Sequence, residues 1–117
     1  MPQKESKMNW LPLTSDEQLA KIIEASHQKP QVIFKHSTRC SISGAAKARL
    51  DKATQPEGID FHYLDLLSYR PLSNKIAETF HVHHESPQVL LIKNGECVFD
   101  ESHLSIFMEE ITEQASK

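Results

Sequence analysis

Two cysteines, Cys40 and Cys97, are the side chains of this 117-residue chain best suited to covalent chemistry. Cys40 sits in His36-Ser37-Thr38-Arg39-Cys40-Ser41-Ile42-Ser43, between the apolar run Val32-Ile33-Phe34 and a helix-prone stretch from Ser43 to Leu50. The reactive form of cysteine is the thiolate, and a free thiol has a pKa of ~8.5, so the surroundings must favour the anion. A helix start would supply unpaired N–H groups and the positive end of the helix dipole, with Arg39, Lys35 and His36 adding positive character. Three residues on, where a second cysteine would resolve a mixed disulfide, stands Ser43, whose hydroxyl has no such sulfur chemistry. Ser43 could also hydrogen-bond the thiolate or cap the helix. The structural alternative for Cys40 is a small buried hydrophobe.

Cys97 is a poor candidate for the missing partner. If Asn94-Gly95 is a two-residue turn, Cys97 pairs with Ile92, five residues past Pro87. At ~3.3 Å per residue that is roughly 16 Å along the sheet from Pro87, far beyond disulfide reach. Cys97 is therefore expected to be a structural strand residue. His81-Val82-His83-His84 invites a metal reading, but no further ligand pattern accompanies it, so no metal is expected. His83 or His84 would instead help to bind an anionic ligand.

The elements that must position these groups follow from periodicity. Thr14-Ser15-Asp16-Glu17 reads as a capping box opening a helix to about Ser26, and Lys29-Pro30 stops it. Gln31 to Lys35 is a continuous apolar-type run, suited to a strand buried on both faces. A helix from about Ser41 to Ala53 then carries Ile42, Ala45, Ala46, Arg49 and Leu50. Ile59 to Leu66 reads as a second strand, joined to the first by a parallel crossover. Arg70-Pro71 opens a third helix with Leu72, Ile76, Ala77 and Phe80. Ser86 to Lys93 and Glu96 to Phe99 form a hairpin about Asn94-Gly95, and a final helix from Ser105 to Thr112 turns Leu104, Phe107, Met108 and Ile111 inward. The order is α-β-α-β-α-β-β-α, an α/β fold with a central four-stranded mixed sheet. Residues 1–12 read as an arm, pinned by Trp10 and Leu11, and 13–117 as a single domain.

Composition excludes several classes. The formal charge of −3 gives no basic excess for nucleic acid or an anionic membrane, and no apolar stretch approaches the ~18 residues of a membrane span. With no export signal and two distant cysteines, the expectation is a cytoplasmic protein with free thiols.

Cys40 at the end of the first central strand, followed much later by Ser86-Pro87, resembles the thioredoxin fold, whose cis-proline loop faces its reactive cysteine. The blocks Val32 to Ser43, Tyr69 to Asn74 and His84 to Ile92 are similar to the YtxJ family, the monothiol bacilliredoxins. That resemblance covers about residues 10 to 115. It implies a thioredoxin-like domain that removes bacillithiol, a cysteinyl sugar thiol bearing a malate, from S-thiolated proteins. Cys40 would be the catalytic nucleophile and Ser43 would stand where a resolving thiol is absent. Bacillithiol would be a cosubstrate, with no bound cofactor. Arg39, Ser41, Ser86, Pro87 and His84 are the expected substrate-binding residues, Arg39 through a two-pronged grip on a carboxylate. Ser41 replaces a proline of some relatives. The competing readings are a ligand- or protein-binding module without turnover, and a glutaredoxin- or arsenate-reductase-like enzyme using another thiol.

Overall fold

The computed structural model describes residues 8–117; the part of the expected arm over residues 1–7 lies outside them. The sheet has five strands rather than the expected four, in the order β1-β3-β2-β4-β5. β2 (Gln31–His36) is central and buried at every position, as its unbroken apolar pattern demands. It pairs in parallel with β3 (Asp60–Asp65) and antiparallel with β4 (Gln88–Lys93). β5 (Glu96–Ser102) completes the hairpin. Asn94 and Gly95 both have positive φ, 54° and 80°, the backbone that a two-residue hairpin turn requires.

The additional strand is β1 (Trp10–Pro12), parallel to β3. Trp10 fixes it: the indole donates to Asp51 Oδ1 at 2.7 Å and packs against Phe34 and Phe61, with ring centroids 5.5 and 5.9 Å away. Leu11 remains 36% exposed, and the anchoring expected of it falls to the buried Leu13 instead.

Four helices cover the two faces. α1 (Asp16–Ala25) and α3 (Arg70–Phe80) enclose Leu19, Ile22, Ile33, Leu64, Leu72, Ile76 and Leu90. α2 (Ser41–Lys52) and α4 (Met108–Ala115) enclose Val32, Phe34, Leu50, Phe61, Val89, Leu91 and Ile111. Successive β2 side chains therefore alternate between two cores. Among the described residues no helix is long and apolar enough to cross a membrane.

Three local expectations shift. The N-cap of α1 is Ser15, one residue after Thr14, and its hydroxyl accepts from Gln18 N–H at 3.2 Å. The inward face of α2 is Ser43, Ala46 and Leu50, while Ile42 is 41% exposed beside Cys40. α4 starts at Met108, leaving Leu104 and Phe107 exposed. Arg49 is the cause: Nη1 donates to the carbonyls of Leu104 and Ile106 at 3.1 and 2.8 Å, and the guanidinium lies over the Phe107 ring at 4.3 Å.

Candidate active site at the start of the second helix

β2 ends at His36, and Ser37-Thr38-Arg39 turns the chain into α2. Cys40 is itself the N-cap of α2, in extended conformation and half-buried. No hydrogen bond joins the Cys40 side chain to the N–H groups of the first turn, although an N-cap side chain stands beside the positive end of the helix dipole. Arg39 and Ser41 flank Cys40 and are exposed.

Ser43 is fully buried. Its hydroxyl accepts from Ser37 N–H at 3.0 Å and lies 2.7 Å from His36 Nδ1. The hydroxyl has one proton and a second lone pair, so it meets Nδ1 as donor or as acceptor according to the ring tautomer. Ser43 thus ties the first turn of α2 to the end of β2. The His36 ring is stacked on Phe34 and close to Tyr63. Burial, then the nearby Lys47 cation, hold its pKa below the ordinary 6.5, so His36 adds no charge at neutral pH.

Lys35 is also spent elsewhere. It is completely buried on the α1/α3 face, where Nζ donates to the Ser73 carbonyl at 3.1 Å and lies 3.2 Å from His84 Nδ1. Burial lowers its pKa from 10.5 to about 8. Of the three cations expected to favour the thiolate, two are interior groups with other partners.

The segment between α3 and β4 arrives at the same sheet edge. Lys35 is the ladder partner of Gln88, so Ser86 and Pro87 stand just beyond that pair, opposite the end of β2 from which the Cys40 turn springs. The Ser86–Pro87 peptide bond is cis. Gln88, buried, holds the segment from within: Nε2 donates to the His83 carbonyl at 2.9 Å and Oε1 accepts from Glu85 N–H at 3.4 Å. His103 N–H donates to the Pro87 carbonyl at 3.0 Å. The Ser86 hydroxyl is buried and has no hydrogen-bond partner among the described residues.

The histidines of this segment diverge. His81 ends α3 with φ 57°. His83 is exposed, 3.7 Å from Glu85, whose other oxygen lies 3.4 Å from His103. His84 is half-buried against Lys35 and Ser73. Burial first, then Lys35 and Arg70, lower its pKa, so it is neutral at pH 7. Tyr69 ties α3 to β3 through its N–H to the Asp65 carbonyl at 3.0 Å.

Cys97 pairs with Ile92, the register expected from the turn. Its thiol donates to the Phe99 carbonyl at 3.3 Å, and burial pushes its pKa up to about 11. Both cysteines are free.

A half-buried cysteine thus stands at the N-cap of a helix, at the sheet edge that the cis Ser86–Pro87 segment also reaches. A family model described as monothiol bacilliredoxin BrxC matches residues 11–111. The chain belongs to the monothiol bacilliredoxin family. A solved structure provisionally described as an oxidoreductase with a thioredoxin fold is 33% identical to this bacilliredoxin-family chain, covers 89% of it and 91% of its own length, and superposes with a TM-score of 0.78. Thioredoxins of Malassezia sympodialis and Schistosoma mansoni, 15% and 19% identical, give TM-scores of 0.76 and 0.71 over 97% and 96% of this chain and 97% of each of theirs. These two carry the fold. Family and fold together give the protein a thiol redox role.

Sequence reasoning did not single out Lys35 with Ser73 and His84, nor Gln88. A signal was present: a lysine inside a run read as buried on both faces must find polar partners.

Proposed function

We propose that the protein is a monothiol disulfide oxidoreductase that removes bacillithiol from S-thiolated proteins through Cys40. The Cys40 thiolate attacks the bacillithiol sulfur of the mixed disulfide, and the protein thiolate leaves and takes a proton from water. Cys40 then carries bacillithiol as a new disulfide. A second bacillithiol thiolate attacks that adduct, giving bacillithiol disulfide and restoring Cys40. Sulfur–sulfur bonds are exchanged one for one at each step.

The observation that carries this reading is the fate of the position three residues after Cys40. Ser43 fills it with a buried hydroxyl engaged to Ser37 and His36, and Cys97 lies five ladder positions past Pro87. The adduct on Cys40 therefore has to be cleared by an external thiol. Ser86, with its unpartnered hydroxyl, together with Pro87, His84, Arg39 and Ser41, forms the surroundings in which the thiol chain lies.

Intact-protein mass spectrometry tests the cycle. Incubation with a bacillithiol-modified protein should add one bacillithiol to Cys40, free bacillithiol should remove it, and Cys40→Ala should take up none. An adduct on Cys97, or none on either cysteine, would overturn the assignment. Running the same assay with a glutathione-modified protein separates bacillithiol from other small thiols.

A further inference from the structure

His84 meets two groups through one ring nitrogen. Lys35 Nζ lies 3.2 Å from Nδ1, and an ammonium has only protons to offer. Nδ1 must therefore present its lone pair, and the proton of the neutral ring must sit on Nε2. The Ser73 hydroxyl, 3.4 Å from the same Nδ1, is compatible with that arrangement as a second donor. Nε2 has no partner among the described residues and is not one of their buried unpartnered atoms. Since Nδ1 is turned to the interior and the residue is half-exposed, the far edge of the ring with its N–H faces solvent.

The charges around that N–H are mixed. Arg70, in the first turn of α3, and Lys35 act on the ring as positive neighbours, Glu85 as a negative one, and His83 as a further positive one when protonated. Glu85 is turned away toward His83 and His103. What the open edge of His84 offers is a fixed neutral donor, on the segment that reaches the sheet edge where Cys40 starts α2.

We propose that Lys35 is a positioning residue that locks His84 as its Nε2–H tautomer, so that His84 donates to a carboxylate of the thiol carried on Cys40. This rests on the reading of Cys40 as a thiol carrier. The lock is internal and costs the site nothing in accessible charge: the ammonium stays buried, and only a neutral N–H reaches the ligand. A thiol with a carboxylate arm is thereby distinguished from one without.

Nitrogen-15 NMR of the histidine rings at pH 7 reads the lock directly. In the reduced protein His84 should be the Nε2–H tautomer, and in Lys35→Met it should become a mixture; Nδ1–H in the unsubstituted protein would overturn the proposal. The carboxylate is tested with two chemically prepared disulfides on Cys40, one with bacillithiol and one with cysteamine, which has no carboxylate. The His84 Nε2–H resonance should move in the first and stay in the second, and equal behaviour would overturn the assignment even if Lys35→Met fails to fold. These adducts form without turnover. Failure of the protein to accept bacillithiol from a modified protein is thus a separate result, bearing on the proposed function alone. In turnover, Lys35→Met should raise KM for the bacillithiol substrate in proportion to the lost Nε2–H fraction, about twofold for an even mixture, with kcat retained.

Discussion

Ser43 and Ser86 are both buried hydroxyls near Cys40, and they have opposite standing. Ser43 has a full complement of partners in Ser37 and His36; removing it strands a buried N–H and a ring nitrogen, a loss of about 1–3 kcal/mol. Ser43→Cys should be destabilised accordingly in urea, yet it should change the chemistry as well. A second sulfur three residues from Cys40 would displace bacillithiol and leave an internal disulfide, seen as a protein 2 Da lighter than the reduced chain in place of the adduct. Ser86 has no partner to lose. Ser86→Ala should therefore stabilise the free protein by about 1 kcal/mol while raising KM for the mixed-disulfide substrate, a reversal of sign between melting temperature and kinetics that a merely structural serine would not give. Cys40 could be picked out from its own segment because it stands at a strand-to-helix junction. The partners of Ser43 could not, since a hydroxyl there suits the thiolate, the helix cap and the strand end equally, and only the folded geometry chooses.

At the scale of elements, long periodic segments were readable and short ones were not. β2, α3 and the Asn94-Gly95 hairpin announce themselves through burial pattern, an early proline and a turn that demands positive φ. β1 is three residues long and ends in proline, too short to show a period; it forms because β3 has an edge to cover and Trp10 has Asp51 to bond. Trp10→Ala should remove that support and cost about 2–3 kcal/mol. The check is a denaturation curve followed by circular dichroism, because Trp10 is the sole tryptophan. The start of α4 is hidden from the local sequence for a related reason. Its preceding carbonyls are taken by Arg49, 57 residues before Ile106, and no local window contains that competitor.

Across the whole molecule, the sheet separates two cores and buries one lysine on its α1/α3 face, where its charge depends on pH. Lys35 is lowered from 10.5 to about 8. Between those values the unfolded chain holds a proton that the folded chain releases, so this group makes stability rise with pH, by on the order of 3 kcal/mol over the window. Cys97 acts in the other direction: its pKa is raised from 9.0 to about 11, so the folded state keeps a proton that the unfolded state loses and stability falls over that range. These two contributions nearly cancel where they overlap, while burial of Tyr63, which raises its pKa above 10.0, adds to the fall at higher pH. Lys35→Met should unmask the Cys97 slope, giving a stability that declines from pH 9 to 11 in urea titrations; a curve parallel to that of the unsubstituted protein would show that Lys35 does not titrate in this window.

Lys35 and Gln88 are opposite each other on neighbouring strands, and between them they grip His83, Glu85 and His84. Loops commonly fluctuate open on their own, well below the free energy of global unfolding. Here the segment bordering the Cys40 turn is attached to a single rung of the central ladder, so it shares the cooperative unit of β2 and β4. The amide of Glu85 should exchange with deuterium as slowly as that of Leu90 and with the same urea dependence. Fast, urea-independent exchange at Glu85 would mean that the segment moves apart from the sheet.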